Sequence, residues 1–113
     1  MTTVRAAIVQ SEPAPSLDEG LHRTEALVRE ATSSGASLVV FPETWLPGYP
    51  TWLDVCRDVA LWDHEPVKAV FARYAAASID VAGEGGQFLR DCARRQGVTL
   101  MIGVSERVGA GPG

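Results

Sequence analysis

The chain has 113 residues, 46% of them apolar and 21% charged, with a formal net charge of −4. That is one modest domain, long enough to bury a real core and ordinary in composition for a soluble globular protein. A small negative charge without a basic stripe argues against a nucleic-acid partner, because phosphate backbones are gripped by clustered Lys and Arg. The longest apolar runs are strand-sized, well short of the roughly 20 residues a membrane helix needs, so no membrane partner is expected. The N-terminus reads as a strand and not as a secretory leader, which makes the cytoplasm the default expectation. Cys56 and Cys92 have unrelated spacing and form neither a disulfide framework nor a metal motif, and no metal or organic cofactor is implied.

In chain order, residues 4–10 open with the apolar run Ala6-Ala7-Ile8-Val9, suited to a strand buried on both faces. Two prolines, Pro13 and Pro15, exclude helix and central strand from residues 11–15. Ser16 then begins a helix, with Glu19 at the capping-box spacing. Leu17, Leu21, Val28 and Ala31 share one face of it, and Gly35 is placed to end it in a left-handed conformation. Residues 37–41 form a second apolar strand that stops at Pro42.

From Pro42 to Asp54 the chain is irregular, with three prolines, two tryptophans and a tyrosine. Residues 52–60 are a candidate short helix. A clearer one starts near Pro66, a favoured first-turn residue, with Val67, Val70, Phe71, Tyr74, Ala75 and Ser78 at helical spacing. Gly83, Gly85 and Gly86 read as a flexible link. The next helix carries Phe88, Leu89, Cys92 and Ala93 on one stripe and ends at Gly97. Residues 98–104 form the third strand, and residues 109–113, rich in glycine, a flexible end. Strands alternating with helices predict an α/β fold with a largely parallel sheet, right-handed crossovers and covering helices.

Ligands of open α/β sheets gather outside the carboxyl ends of the strands. Glu43 stands there, two residues beyond the second strand. Pro42 stiffens its backbone, and Trp45 and Tyr49 are near enough to desolvate it, which would raise its pKa and suit it to proton transfer near neutral pH. On these grounds alone Glu43 is either such a base or an ordinary solvated loop acid.

The words around Glu43 are more specific. Phe41-Pro42-Glu43-Thr44-Trp45-Leu46-Pro47-Gly48-Tyr49-Pro50 resembles the glutamate motif of the nitrilase family of carbon–nitrogen hydrolases, an F-P-E core followed by a P-G-Y-P turn. Residues 4–10 look like that family's opening strand. Residues 31–40, with Gly35-Ala36, are similar to its helix-to-strand passage. Residues 88–107, closing on Gly103-Val104-Ser105-Glu106-Arg107, look like its next helix and strand. The likeness is weakest over residues 55–83. The P-G-Y-P turn, the long helical stretch and the Glu-Arg ending resemble nitrilases more than amidases or carbamoylases.

The resemblance implies a four-layer αββα sandwich, of which residues 1–113 would supply the N-terminal part, about three strands and three to four helices, truncated after the third strand. It implies a cysteine nucleophile, a lysine and a glutamate that convert a nitrile into a carboxylic acid and ammonia, in an enzyme that is commonly a homo-oligomer. Glu43 matches the glutamate, with the role of general base. Tyr49 matches a position lining the substrate pocket, where a packing tyrosine in a tight turn is the alternative.

The family's lysine and cysteine lie beyond the third strand and are not assigned here. Lys68 reads as a solvated helix residue and Cys92 as a buried structural thiol, while Cys56 is left open. The 113-residue chain is therefore expected to be inactive alone, with exposed apolar strand faces and an unpaired edge. A non-catalytic truncated paralogue that binds a partner through those faces is the rival reading. A nucleotide-binding domain is disfavoured, because no Gly-x-Gly-x-x-Gly follows the first strand.

Overall fold

Three short apolar runs pair into one parallel sheet: β1 (Ala6–Ile8), β2 (Leu38–Val40) and β3 (Thr99–Met101), in that spatial order. The computed structural model describes residues 2–61 and 63–108, so the end at residues 109–113 lies outside the described residues. Ala7 aligns with Val39, and Val39 with Leu100, across the two parallel pairs. Each strand is shorter than its apolar run because pairing beyond it survives only as single bonds. Val9 N–H donates to the Val40 carbonyl at 2.8 Å, and Phe41 N–H to that of Met101 at 2.8 Å.

The connections supply three helices, α1 (Leu17–Ser33), α2 (Glu65–Ala77) and α3 (Glu84–Gln96). The architecture is the expected α/β one. Ser16 caps α1, its hydroxyl accepting from Glu19 N–H at 3.2 Å, and Gly35 follows its end at φ +91°. Gly97 closes α3 at φ +66°. Its own N–H reaches the Arg94 carbonyl and that of Val98 the Ala93 carbonyl, the paired bonds of a Schellman cap. No helix among the described residues is long and apolar enough to cross a membrane.

Both crossovers step the same way across the sheet, so crossovers of one hand lay α1 and α3 on one face. The two helices meet there. Arg95 reaches Glu25 at 2.7 Å, and the His22 ring meets the Phe88 edge at 5.7 Å. Beneath them, Val39, Val28, Cys92, Leu21 and Leu89 form the core. The opposite face is bare, with Ile8 66% and Met101 64% exposed. The expectation that the first strand is buried on both faces is thus corrected, because side chains alternate and helices cover only one side.

Two further expectations change. Residues 52–60 are not a helix but a 3-10 turn at Thr51–Asp54 followed by looser turns. The glycine-rich stretch is no flexible link. Gly83 caps α3, Gly85 and Gly86 form its first turn, and a Cβ on Gly86 would lie 1.8 Å from the Val81 carbonyl oxygen. The periodic face of α2 is partly covered: Val67 and Ser78 are buried, Val70 and Tyr74 half-buried, and Phe71 and Ala75 exposed.

Candidate active site

The segment after β2 is built from alternating anchors and exposed groups. Phe41, Trp45 and Leu46 are buried, while Glu43 and Tyr49 are exposed at the carboxyl end of the sheet. Burial of the indole is possible because its one polar atom is satisfied: Trp45 Nε1–H donates to Thr24 Oγ1 at 2.8 Å. That hydroxyl in turn donates to the Gly20 carbonyl at 2.7 Å within α1. The Phe41 and Trp45 rings pack at 5.4 Å. Leu46 fills the space over Gly20, where a Cβ would come within 2.6 Å of Leu46 Cδ2.

Between these anchors the backbone reverses. Thr44 takes φ +51°, a strained conformation for a β-branched residue, and its carbonyl accepts from Gly48 N–H at 2.7 Å. The Leu46–Pro47 peptide is cis. Gly48 has φ +117° and packs on Pro13, whose Cγ would lie 2.9 Å from a Cβ there.

The backbone carrying Glu43 is seated directly on the chain that follows β3. A Cβ on Gly103 would lie 2.6 Å from the Thr44 nitrogen, 2.7 Å from the Pro42 oxygen and 2.8 Å from the Glu43 Cα. Only glycine permits that approach. Beyond it, Leu46 pairs in parallel with Val104, and Ser105 N–H donates to the Leu46 carbonyl at 2.8 Å. Glu43 is therefore a solvent-facing carboxylate on a backbone fixed from below by the indole and from the side by Gly103. The desolvation expected from Trp45 and Tyr49 is absent here. Trp45 points inward, 2% exposed, and Tyr49 is itself 58% exposed.

The other reactive side chains are not gathered around Glu43's loop by any hydrogen bond or ion pair among the described residues. Lys68 sits on the surface of α2, bonded to Asp63 at 2.7 Å and Glu65 at 2.9 Å, and these carboxylates hold its pKa above the usual lysine value. Cys92 is fully buried in the core. Burial pushes its thiol up, Glu25 adds to this, and Arg95 and Arg29 oppose it, as suits an inert structural cysteine. Cys56 is half-buried and lines a small cavity with Trp52, His64 and Val67. Among the described residues no group of three or more His, Cys, Asp or Glu side chains is arranged to hold a metal ion.

Glu43 thus stands at the strand end of a one-sided parallel sheet, within the loop that carries its motif. Residues 5–113 match the family model described as carbon–nitrogen hydrolase. The chain belongs to that family. Within it, this chain is similar to nitrilases. It is 36% identical over 109 residues to an arylacetonitrilase of Aspergillus niger, covering 96% of this chain and 30% of that protein. It is 37% identical over 110 residues to an aliphatic nitrilase of Sinorhizobium fredii, covering 96% and 35%. With an arylacetone-specific nitrilase of Alcaligenes faecalis the identity is 38% over 109 residues, covering 94% and 28%. The chain thus spans about a third of the length of the curated relatives it matches.

Several residues that build the site carry little signal in the sequence. Thr24 looks like any polar residue of a helix, yet it satisfies the buried indole. Tyr74 reads as one more member of an apolar stripe. Gly103 could have been found, since a glycine inside a strand-like run marks close backbone approach.

Proposed function

We propose that this chain contributes the general base of a nitrile-hydrolysing site, with Glu43 as that base and Tyr49 as part of the substrate pocket. The observation that carries the reading is the seating of Glu43. Its carboxylate is free at the carboxyl end of β2, while buried anchors and the glycine contact hold its backbone still. A base so held loses little entropy in reaching its proton. The similarity to nitrilases of both arylacetonitrile and aliphatic types supports a nitrile as substrate.

In the proposed reaction a cysteine thiol adds across the C≡N bond, and Glu43 takes the thiol proton and passes it to the nitrile nitrogen. The result is a thioimidate. Water adds to its carbon with Glu43 as base, and ammonia leaves, giving a thioester. A second water releases the carboxylic acid and restores the thiol. The nucleophile is neither Cys92, which is fully buried, nor, on the motif, Cys56. Lys68 is engaged on the surface. The 113-residue chain is accordingly proposed to be inactive alone, its cysteine and lysine partners being supplied by further sequence.

The test is a hybrid in which residues 1–108 replace the matching part of the Sinorhizobium fredii nitrilase, assayed by ammonia release from aliphatic and arylaceto-nitriles and from the corresponding amides. Glu43→Gln keeps the shape but cannot take a proton, and is expected to lower kcat about 10²–10⁴-fold. A Glu43→Gln hybrid as fast as its parent would sink the assignment. Amide turnover exceeding nitrile turnover would move the reading to amidase or carbamoylase chemistry.

A further inference from the structure

Residue 49 is bracketed by two anchors, and both come from α2. On its N-terminal side the Gly48 carbonyl accepts a hydrogen bond from Tyr74 Oη at 3.3 Å. The same Tyr74 oxygen lies 2.7 Å from Ser105 Oγ. A phenol has one proton and a carbonyl only accepts, so one arrangement makes both bonds: Ser105 donates to Tyr74, and Tyr74 donates to Gly48. On its C-terminal side, past Pro50, the Trp52 ring meets the edge of Phe71 at 5.0 Å and Tyr74 at 6.4 Å. Tyr49's own carbonyl accepts from Thr51 N–H at 2.8 Å, closing the turn between the anchors.

Ser105 is itself tied to the site loop, since its N–H donates to the Leu46 carbonyl at 2.8 Å. Its carbonyl accepts from Ile79 N–H at 3.0 Å, just beyond α2. The Tyr74 hydroxyl therefore joins three segments distant in sequence: the site loop, α2 and the chain after β3. Its ring is half-buried, and the helix around it is otherwise largely uncovered. Lys68 to Asp63 and Ser78 to the Tyr74 carbonyl are local to the ends of α2, whereas the one phenol oxygen carries both side-chain hydrogen bonds that tie this helix to distant segments among the described residues.

We infer that Tyr74 is a positioning residue that fixes the turn at Gly48 and Tyr49, and so sets where the Tyr49 ring stands against the substituent of a bound nitrile. The inference rests on the proposed role of Tyr49 in the pocket. It makes Tyr74, with Trp52 and Phe71 beside it, a determinant of substrate size rather than of bond cleavage, because the Tyr74 bonds touch the Tyr49 turn, whereas Glu43 is held by Gly103 and Trp45.

Two readouts test it. The chain has two tyrosines, so ring-labelled protein gives two tyrosine signals, and Tyr74→Phe leaves Tyr49 alone. In the 113-residue chain that remaining signal is expected to move or broaden, and Ser105→Ala to do the same, while Ser105→Thr, which keeps the hydroxyl, restores the parent position. A Tyr49 signal unchanged in Tyr74→Phe overturns the latch. In the hybrid nitrilase, Tyr74→Phe is expected to raise KM for a bulky arylacetonitrile about fivefold, the worth of one ordinary hydrogen bond, with kcat within about twofold. A fall in kcat at constant KM, or equal effects on small and bulky nitriles, overturns the role in substrate size. The hydrolase reading fails separately, through a Glu43→Gln hybrid that keeps its rate, and the ring signal then still decides whether Tyr74 holds the turn.

Discussion

Residues 41–50 and the stretch that follows them, residues 51–78, are neighbours in sequence but are held by different physics. The first is pinned by full burial: Phe41, Trp45 and Leu46 sit in the core, and the backbone between them touches glycine directly. Among its described residues the second buries only Val67 and Ser78 and otherwise rests on half-covered aromatic edges and one phenol hydroxyl, with Val59 half-buried and Leu53, Leu61 and Phe71 exposed. A rigid seat for the carboxylate thus adjoins a more loosely held segment.

The sharpest way to break this contrast is Trp45→Ala. Loss of a fully buried aromatic with a satisfied N–H is expected to cost about 3–5 kcal/mol, read as a lower midpoint in chemical denaturation. An effect no larger than that of Phe71→Ala would erase the distinction. Gly103→Ala comes next. Its methyl must push the backbone at residues 42–44 aside, and a displacement of that kind is expected to reduce kcat of the hybrid about a hundredfold. Gly97→Ala is the matched control, since its Cβ meets nothing within 4 Å. Its left-handed backbone costs about 1 kcal/mol of stability, and kcat should hold.

Thr24→Val keeps the shape but strands the indole N–H, for an expected loss of about 1–3 kcal/mol. Phe71→Ala, in the looser region, removes one edge-to-face contact and should cost no more than about 1.5 kcal/mol. The smallest effect concerns Cys92. Burial raises its folded pKa above the unfolded value, so the neutral thiol's contribution is full below the unfolded pKa and fades as pH climbs towards the folded pKa. Denaturation midpoints should therefore decline on the alkaline side, and Cys92→Ala should flatten that decline. Identical slopes for the two proteins would show that another group titrates there.

How much of this was legible beforehand depended on whether local pattern or distant contact decides. The helices α1 and α3 were legible because Ser16, Gly35 and Gly97 punctuate them and their apolar stripes face one core. Glu43 at a strand end was legible for the same reason. The bare sheet face was not foreseen for β1, since an all-apolar run does not say on which sides cover arrives. The glycines at residues 83–86 misled, because close packing of Gly86 on the Val81 carbonyl resembles flexibility in sequence. The partners of Trp45 and Gly48, namely Thr24 and Tyr74, lie 21 and 26 residues away. No local pattern couples residues at such distances.

The contact between Gly103 and the backbone of Glu43 also has a consequence in time. Roughly 60 residues separate the two, and a ribosome adding about 5–20 residues per second needs about 3–12 s to make the second after the first. Thr24, by contrast, is already synthesised when Trp45 appears. The nascent chain can therefore lodge its indole early and waits for its glycine, so the segment bearing the carboxylate is among the last parts of this chain to acquire its final path.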